Sequence, residues 1–90
     1  MKVKFSSKFT KKYNKVPAKI RKNFETKLEL FLAGKFHPLL NNHKLTGKYL
    51  GKRSINITGD WRAIYSEHET DAWETAIVFD LLKTHSQLYG

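Results

Sequence analysis

The chain contains no cysteine, which removes disulfides, thiolate nucleophiles and cysteine-based zinc sites from consideration. No apolar run approaches the roughly 18 residues of a membrane-spanning helix. The opening Met1-Lys2-Val3-Lys4-Phe5 has no apolar run of signal-peptide length. A soluble cytoplasmic protein without membrane contact is therefore expected. Repeats, linkers and low-complexity stretches are also missing, so residues 1–90 read as one domain with a modest core. A hydrophobic content of 40% with 13% aromatics is too apolar for disorder.

Acids are scarce where bases are dense. The formal net charge is +9, and residues 1–27 carry all of it: ten Lys/Arg against the single acid Glu25. Residues 28–90 hold seven charges of each sign. Within them Lys44, Lys48, Lys52 and Arg53 form an acid-free run, whereas Glu67, Glu69, Asp71 and Glu74 form an acidic one. A surface polarised in this way suits a polyanion, because neutralised phosphates release their counterions. A merely solvated basic helical face has the same composition.

Lys2–Phe5 alternates and reads as a short strand. Ser6 or Ser7 can cap a helix with apolar positions Phe9, Tyr13 and Val16. Asn14–Pro17 marks a break, and a second helix runs to about Gly34 with a stripe of Ile20, Phe24, Leu28, Phe31 and Leu32. Residues 35–51 are turn-rich and read as a loop with a short extended piece. Arg53–Thr58 alternates as a strand, Gly59-Asp60 turns, Trp61–Glu67 alternates again, and His68–Asp71 is a polar turn. Trp73–Leu82 is the long central strand, with Trp73, Phe79 and Leu81 as core. Lys83–Gly90 is a short tail. The order β-α-α-β-β-β predicts an α+β fold, an antiparallel sheet covered on one face by two N-terminal helices. The other face stays open for a ligand.

RNA cleavage without a metal needs a base for the attacking 2′-OH, an acid for the leaving 5′-oxygen, and cations around the phosphate. Histidine titrates near neutrality and suits the proton transfers; Arg and Lys suit the phosphate. His85 lies just past the central strand, flanked by Thr84 and Ser86 rather than by an apolar pattern. It is either a proton-transfer group or a surface residue of the tail. His43 opens the basic run at Lys44, beside candidate phosphate ligands. His37, before Pro38, reads as structural, and His68 as solvated. Asp60 is either a proton acceptor or a turn residue. Arg62, a charge on an otherwise apolar strand, is a phosphate ligand or an edge-strand charge. Tyr89 and Trp61 either stack on bases or join the core. No His pair has the i, i+4 spacing of a helical metal site, and no P-loop, GxGxxG or nucleophile elbow occurs. Neither a metal nor another cofactor is expected.

Three blocks carry a family resemblance: His43-Lys44-Leu45-Thr46-Gly47, Gly59-Asp60-Trp61-Arg62-Ala63-Ile64-Tyr65 and Thr84-His85-Ser86-Gln87-Leu88-Tyr89. Their order and spacing resemble the YafQ-like branch of the RelE/ParE superfamily of toxins. The resemblance implies a compact RelE-type fold and an mRNA interferase, an endoribonuclease acting in the ribosomal A site. It implies a cognate antitoxin, with the toxin monomeric alone and hetero-oligomeric in that complex. By position, His43, His85 and Asp60 fall on the branch's catalytic residues and Tyr89 on its C-terminal aromatic. Arg62 matches a phosphate-stabilising Arg of RelE. Lys44, Lys48, Arg53 and Lys83 join it as candidate phosphate ligands, with Trp61 as a candidate stacking residue. Two positions depart from the pattern. Asn56 stands where the branch has a His, and Leu81 where it has an Arg, which leaves Lys83 as the neighbouring positive charge.

Two other functions share this fold outline. A ParE-like inhibitor of DNA gyrase needs no acid–base residues, so the histidines argue against it. A binding module using the basic N-terminal helices would hold RNA or ribosomes without cutting, in a salt-sensitive manner that survives loss of both histidines.

Overall fold

The computed structural model describes residues 1–70 and 72–89. Its elements are β1 (Lys2–Phe5), α1 (Ser7–Tyr13), α2 (Ala18–Ala33), β2 (His43–Lys44), β3 (Arg53–Asn56), β4 (Trp61–Glu69), β5 (Thr75–Thr84) and α3 (His85–Tyr89), with single 3₁₀ turns at Pro38–Leu40 and Gly47–Tyr49. The sheet order is β1-β5-β4-β3-β2. The α+β class and the two N-terminal helices are as expected. The sheet, however, is mixed: β2 to β5 form antiparallel pairs, whereas β1 lies parallel to β5, Lys2 opposite Ala76 through Phe5 opposite Phe79. A strand separated from its partner by two helices can return in either sense, and local alternation does not encode which.

Ser6 opens α1. Its Oγ accepts from the Phe9 amide at 3.0 Å and donates to the Asp80 carbonyl at 3.0 Å, so one hydroxyl caps the helix and ties it to β5. The two helices bury Phe9, Ile20, Phe24 and Phe31 on the sheet face formed by Ile55, Ile57, Ala63, Tyr65, Ile77, Phe79 and Leu82. Phe79 is the hub: its ring meets Phe24 edge-on at 5.4 Å and Phe31 edge-on at 5.5 Å. Leu32, expected on the buried stripe, is exposed. Val16 is buried in the turn after α1 rather than on the helix.

The β4–β5 hairpin differs most from expectation. β4 continues to Glu69, so His68 is a strand residue opposite Ala76, with its ring bonded to the Ser66 hydroxyl at 3.0 Å. Trp73 is not core. It sits in the hairpin turn with φ of 60° and is 98% exposed, and β5 starts two residues later. A Trp beside a strand has the composition of strand, so local sequence does not mark the start of β5 at Thr75. Asp71 and Gly90 lie outside the described residues.

β5 also carries a bulge. Ile64 faces Leu81 and Tyr65 faces Phe79, which leaves Asp80 as the extra residue. The bulge keeps Phe79 and Leu82 on the helix-covered face and turns Leu81 to the other side. There Leu81, Leu45 and Ile64 form a second, small core, with Tyr49 and Leu88 packed against it. The second face is thus only partly open, and the remaining opening is where the histidines sit.

Candidate active site

The end of β5 passes directly into α3. Thr84-His85-Ser86-Gln87 forms a reciprocal cap: the Thr84 amide donates to Gln87 Oε1 at 2.9 Å and the Gln87 amide donates to Thr84 Oγ1 at 3.3 Å. The His85 amide donates to the Asp60 carbonyl at 2.7 Å, which pins the helix to the β3–β4 turn. The Thr-x-x-Gln spacing is a helix-start signal in the sequence, and the segment expected as a tail is a helix. His85 and Tyr89, four residues apart, fall on one helical face with ring centroids 4.7 Å apart.

That face closes a shallow cavity of about 220 Å³ lined by Asn41, His43, Arg62, His85 and Tyr89. Four expected site residues therefore meet, drawn from β2, β4 and α3, although up to 46 positions separate them. His43 is held at both ring nitrogens: Nδ1 lies 2.9 Å from the Asn41 carbonyl and Nε2 3.1 Å from Tyr89 Oη. A carbonyl can only accept, so Nδ1 carries the proton in the neutral ring and Nε2 keeps the lone pair that receives the Tyr89 hydroxyl. Asn41 supports this geometry in a left-handed backbone conformation with φ of 44°, which Asn tolerates. Asn41 contributes a main-chain oxygen, which leaves no side-chain signature in the sequence.

Arg62 lines the cavity, but its guanidinium is already engaged. Nη1 donates to the Thr58 and Trp61 carbonyls at 2.9 and 3.0 Å, and Nη2 donates to the Gly59 carbonyl at 3.3 Å. Its charge is fixed at the rim by the same turn that holds α3. Asp60 belongs to this turn through its backbone, and its carboxylate does not line the cavity. Asn56 sits on β3 opposite Arg62, with its Oδ1 buried and without a hydrogen-bond partner among the described residues. An amide there has no titratable proton to offer. Leu81 is packed into the small core, so the position holds no charge.

The other basic candidates lie apart from the histidines. Arg53 donates from Nε to Asn42 Oδ1 at 2.8 Å and stacks over Phe36 at 5.3 Å. Asn42 in turn donates to Tyr65 Oη at 2.7 Å, and burial raises the Tyr65 pKa above its ordinary value. Arg53 thus braces the core edge. Lys44 and Arg53 border a separate groove, and Lys48 lies over the Tyr49 ring at 5.2 Å. Trp61 is half-buried on the helix-covered side with Lys12 Nζ 5.7 Å from its ring. Lys83 pairs with Arg62 across the strands but opens into a different cavity. Two features went unforeseen: Asp80, bonded to Lys52 at 2.6 Å, and the approach of Lys8 and Lys12 to Lys83. Among the described residues no group of three or more His, Asp or Glu is placed to hold a metal, and no helix is long and apolar enough to cross a membrane.

A family model described as the bacterial toxin of type II toxin-antitoxin systems, YafQ, matches residues 1–90. No curated relative matches by sequence. Among solved structures, a YoeB/ParE toxin from Agrobacterium tumefaciens superposes with a TM-score of 0.74 at 18% identity, covering 94% of this chain and 99% of that one. YafQ from E. coli strain BL21(DE3) superposes with a TM-score of 0.72 at 21% identity, covering 98% and 97%. The E. coli DinJ-YafQ complex gives 0.59 at 23% identity, covering 98% and 97%.

Proposed function

The chain belongs to the YafQ family of bacterial toxins of type II toxin–antitoxin systems, and from that premise we propose that it is an mRNA interferase, a metal-independent endoribonuclease acting in the ribosomal A site. The observation that carries this reading is the cavity shared by His43, His85, Arg62 and Tyr89. In the proposed reaction the ribose 2′-oxygen attacks the adjacent phosphorus, the bond to the 5′-oxygen breaks, and the products are a 2′,3′-cyclic phosphate and a 5′-OH. His43 takes the 2′-OH proton, its Nε2 lone pair being exposed once Tyr89 swings aside or relays the proton. His85, exposed on the opposite wall, protonates the leaving oxygen. Arg62 supplies positive charge at the rim to the phosphate in the transition state. His43 is favoured over Asp60 as base because its ring lines the cavity and the Asp60 carboxylate does not.

A cognate antitoxin is part of the same reading. The E. coli relative is known in a complex, DinJ-YafQ. A surface with net +9 attracts an acidic segment that orders on binding. The test is single-turnover cleavage by the purified protein on programmed ribosomes. One acid–base group supplies about 10²–10⁴ in rate, so His85→Ala and His43→Ala should each fall by that order while Asp60→Asn stays within about tenfold. A Asp60→Asn loss equal to that of His43→Ala moves the base assignment to Asp60. Full cleavage by folded His85→Ala overturns the mechanism.

A further inference from the structure

The wall that carries His85 and Tyr89 has a second side. Gln87 points away from the histidine cavity and lines a separate one of about 340 Å³, together with Lys8 and Lys12 from α1 and Leu81, Leu82 and Lys83 from β5. Three lysines from two elements converge there, and among the described residues no acid lines the space. The Asp80 carboxylate, on the same strand, is already paired with Lys52 at 2.6 Å. The two cavities are adjacent: Arg62 lines one, Lys83 lines the other, and these residues face each other across β4 and β5. Directly opposed residues of an antiparallel pair stand only about 4.5–5.5 Å apart at Cα.

We infer that this lysine cavity is a second phosphate subsite, which receives a phosphate flanking the scissile one on the same RNA strand. The inference rests on the proposed RNA-cutting function and adds to it a binding site with a defined ligand. Asp80 acts on Lys8 but is itself paired with Lys52; like charges held around one cavity repel one another, and a phosphate entering it relieves that repulsion. Lysine suits the role as a compact point charge with rotatable donors, and the Gln87 amide adds a neutral donor. A protein carboxylate could also enter such a cavity, but the shared wall with the histidines favours the strand being cut.

The test uses a single-stranded RNA oligonucleotide, 2′-O-methylated throughout so that it binds without being cut, with affinity followed by fluorescence anisotropy across a salt series. Lys8→Ala/Lys12→Ala is compared with Lys15→Ala/Lys22→Ala, an equal loss of charge at exposed lysines outside the cavity. Thermal melts check folding. The cavity pair should flatten the slope of log affinity against log salt by about 0.7, the value of one single-strand phosphate contact, and the control pair by less. A scan with one neutral methylphosphonate at each linkage should find a position that weakens the wild type several-fold and leaves the Lys8→Ala/Lys12→Ala variant unaffected. Equal losses in both variants, or no such linkage, overturn the subsite while leaving the cleavage reading in place. Intact RNA binding in the cavity variant with lost antitoxin binding overturns it in favour of a protein ligand. A wild type that binds no RNA overturns the subsite, whereas the cleavage reading fails only if programmed ribosomes also show no cut.

Discussion

Replacing Tyr89 with Phe separates two things the residue does. The hydroxyl hydrogen-bonds to His43 Nε2 at 3.1 Å, and the ring packs on His85 with centroids 4.7 Å apart. Tyr89→Phe removes only the first. A neutral hydrogen bond of this kind contributes about 1 kcal/mol, and Tyr89 is more than half exposed, which keeps the global stability cost at or below that figure. If the bond serves to orient the His43 ring, the same 1 kcal/mol corresponds to about a fivefold loss in cleavage rate. Tyr89→Ala also removes the aromatic contact, for which about 1 kcal/mol more is typical, so the combined loss is about thirtyfold. The assay is single-turnover cleavage on programmed ribosomes at saturating protein, with melting curves as a folding control. A Tyr89→Phe loss as large as that of His43→Ala would show that the hydroxyl itself transfers a proton. No loss in either Tyr89 variant would refute its membership of the site.

Lys52 holds the Asp80 carboxyl below its ordinary range, chiefly through their hydrogen bond. The linked stability is therefore present above the unfolded-state value of about 3.9 and is lost as pH falls through the lower folded value. Asp80→Asn should flatten the acid end of a stability–pH curve; an unchanged curve would refute the linkage. Phe79→Ala, at the centre of the aromatic cluster with no exposed surface, should cost about 3–5 kcal/mol in chemical denaturation. Trp73→Ser, at a fully exposed hairpin turn, should fall within about 0.5 kcal/mol of wild type. Arg62→Lys keeps the charge but loses the fork that binds three turn carbonyls, so a lowered melting temperature should accompany weaker cleavage.

The residues most legible in the sequence were those whose signal is local. Phe9, Phe24 and Phe31 recur at helical spacing, and Ile55, Ile57, Ala63 and Tyr65 alternate, so the principal core could be read from period alone. His43, Arg62, His85 and Tyr89 were legible as chemistry, but their meeting in one cavity comes from the β2–β3–β4–β5 register, which is long-range. The parallel return of β1 and the bulge at Asp80 are set by pairing geometry rather than by composition. Lys8 and Lys12 looked like part of a diffuse basic face. Only the placement of α1 along the end of β5 gathers them with Lys83. Arg53 and Trp61 carried the right chemical types and landed on the helix-covered side, where packing and bracing use them.

The central claim is that this toxin acts by cutting messenger RNA with His85 as acid. Its most direct test is induction in cells with transcriptome-wide mapping of 5′-OH ends, wild type against His85→Ala. The account predicts new 5′-OH ends within translated reading frames for the wild type and their loss, with growth restored, for a folded and equally abundant His85→Ala protein. Undiminished mRNA ends in the variant, or growth arrest by the wild type with DNA breaks and intact mRNA, would contradict it.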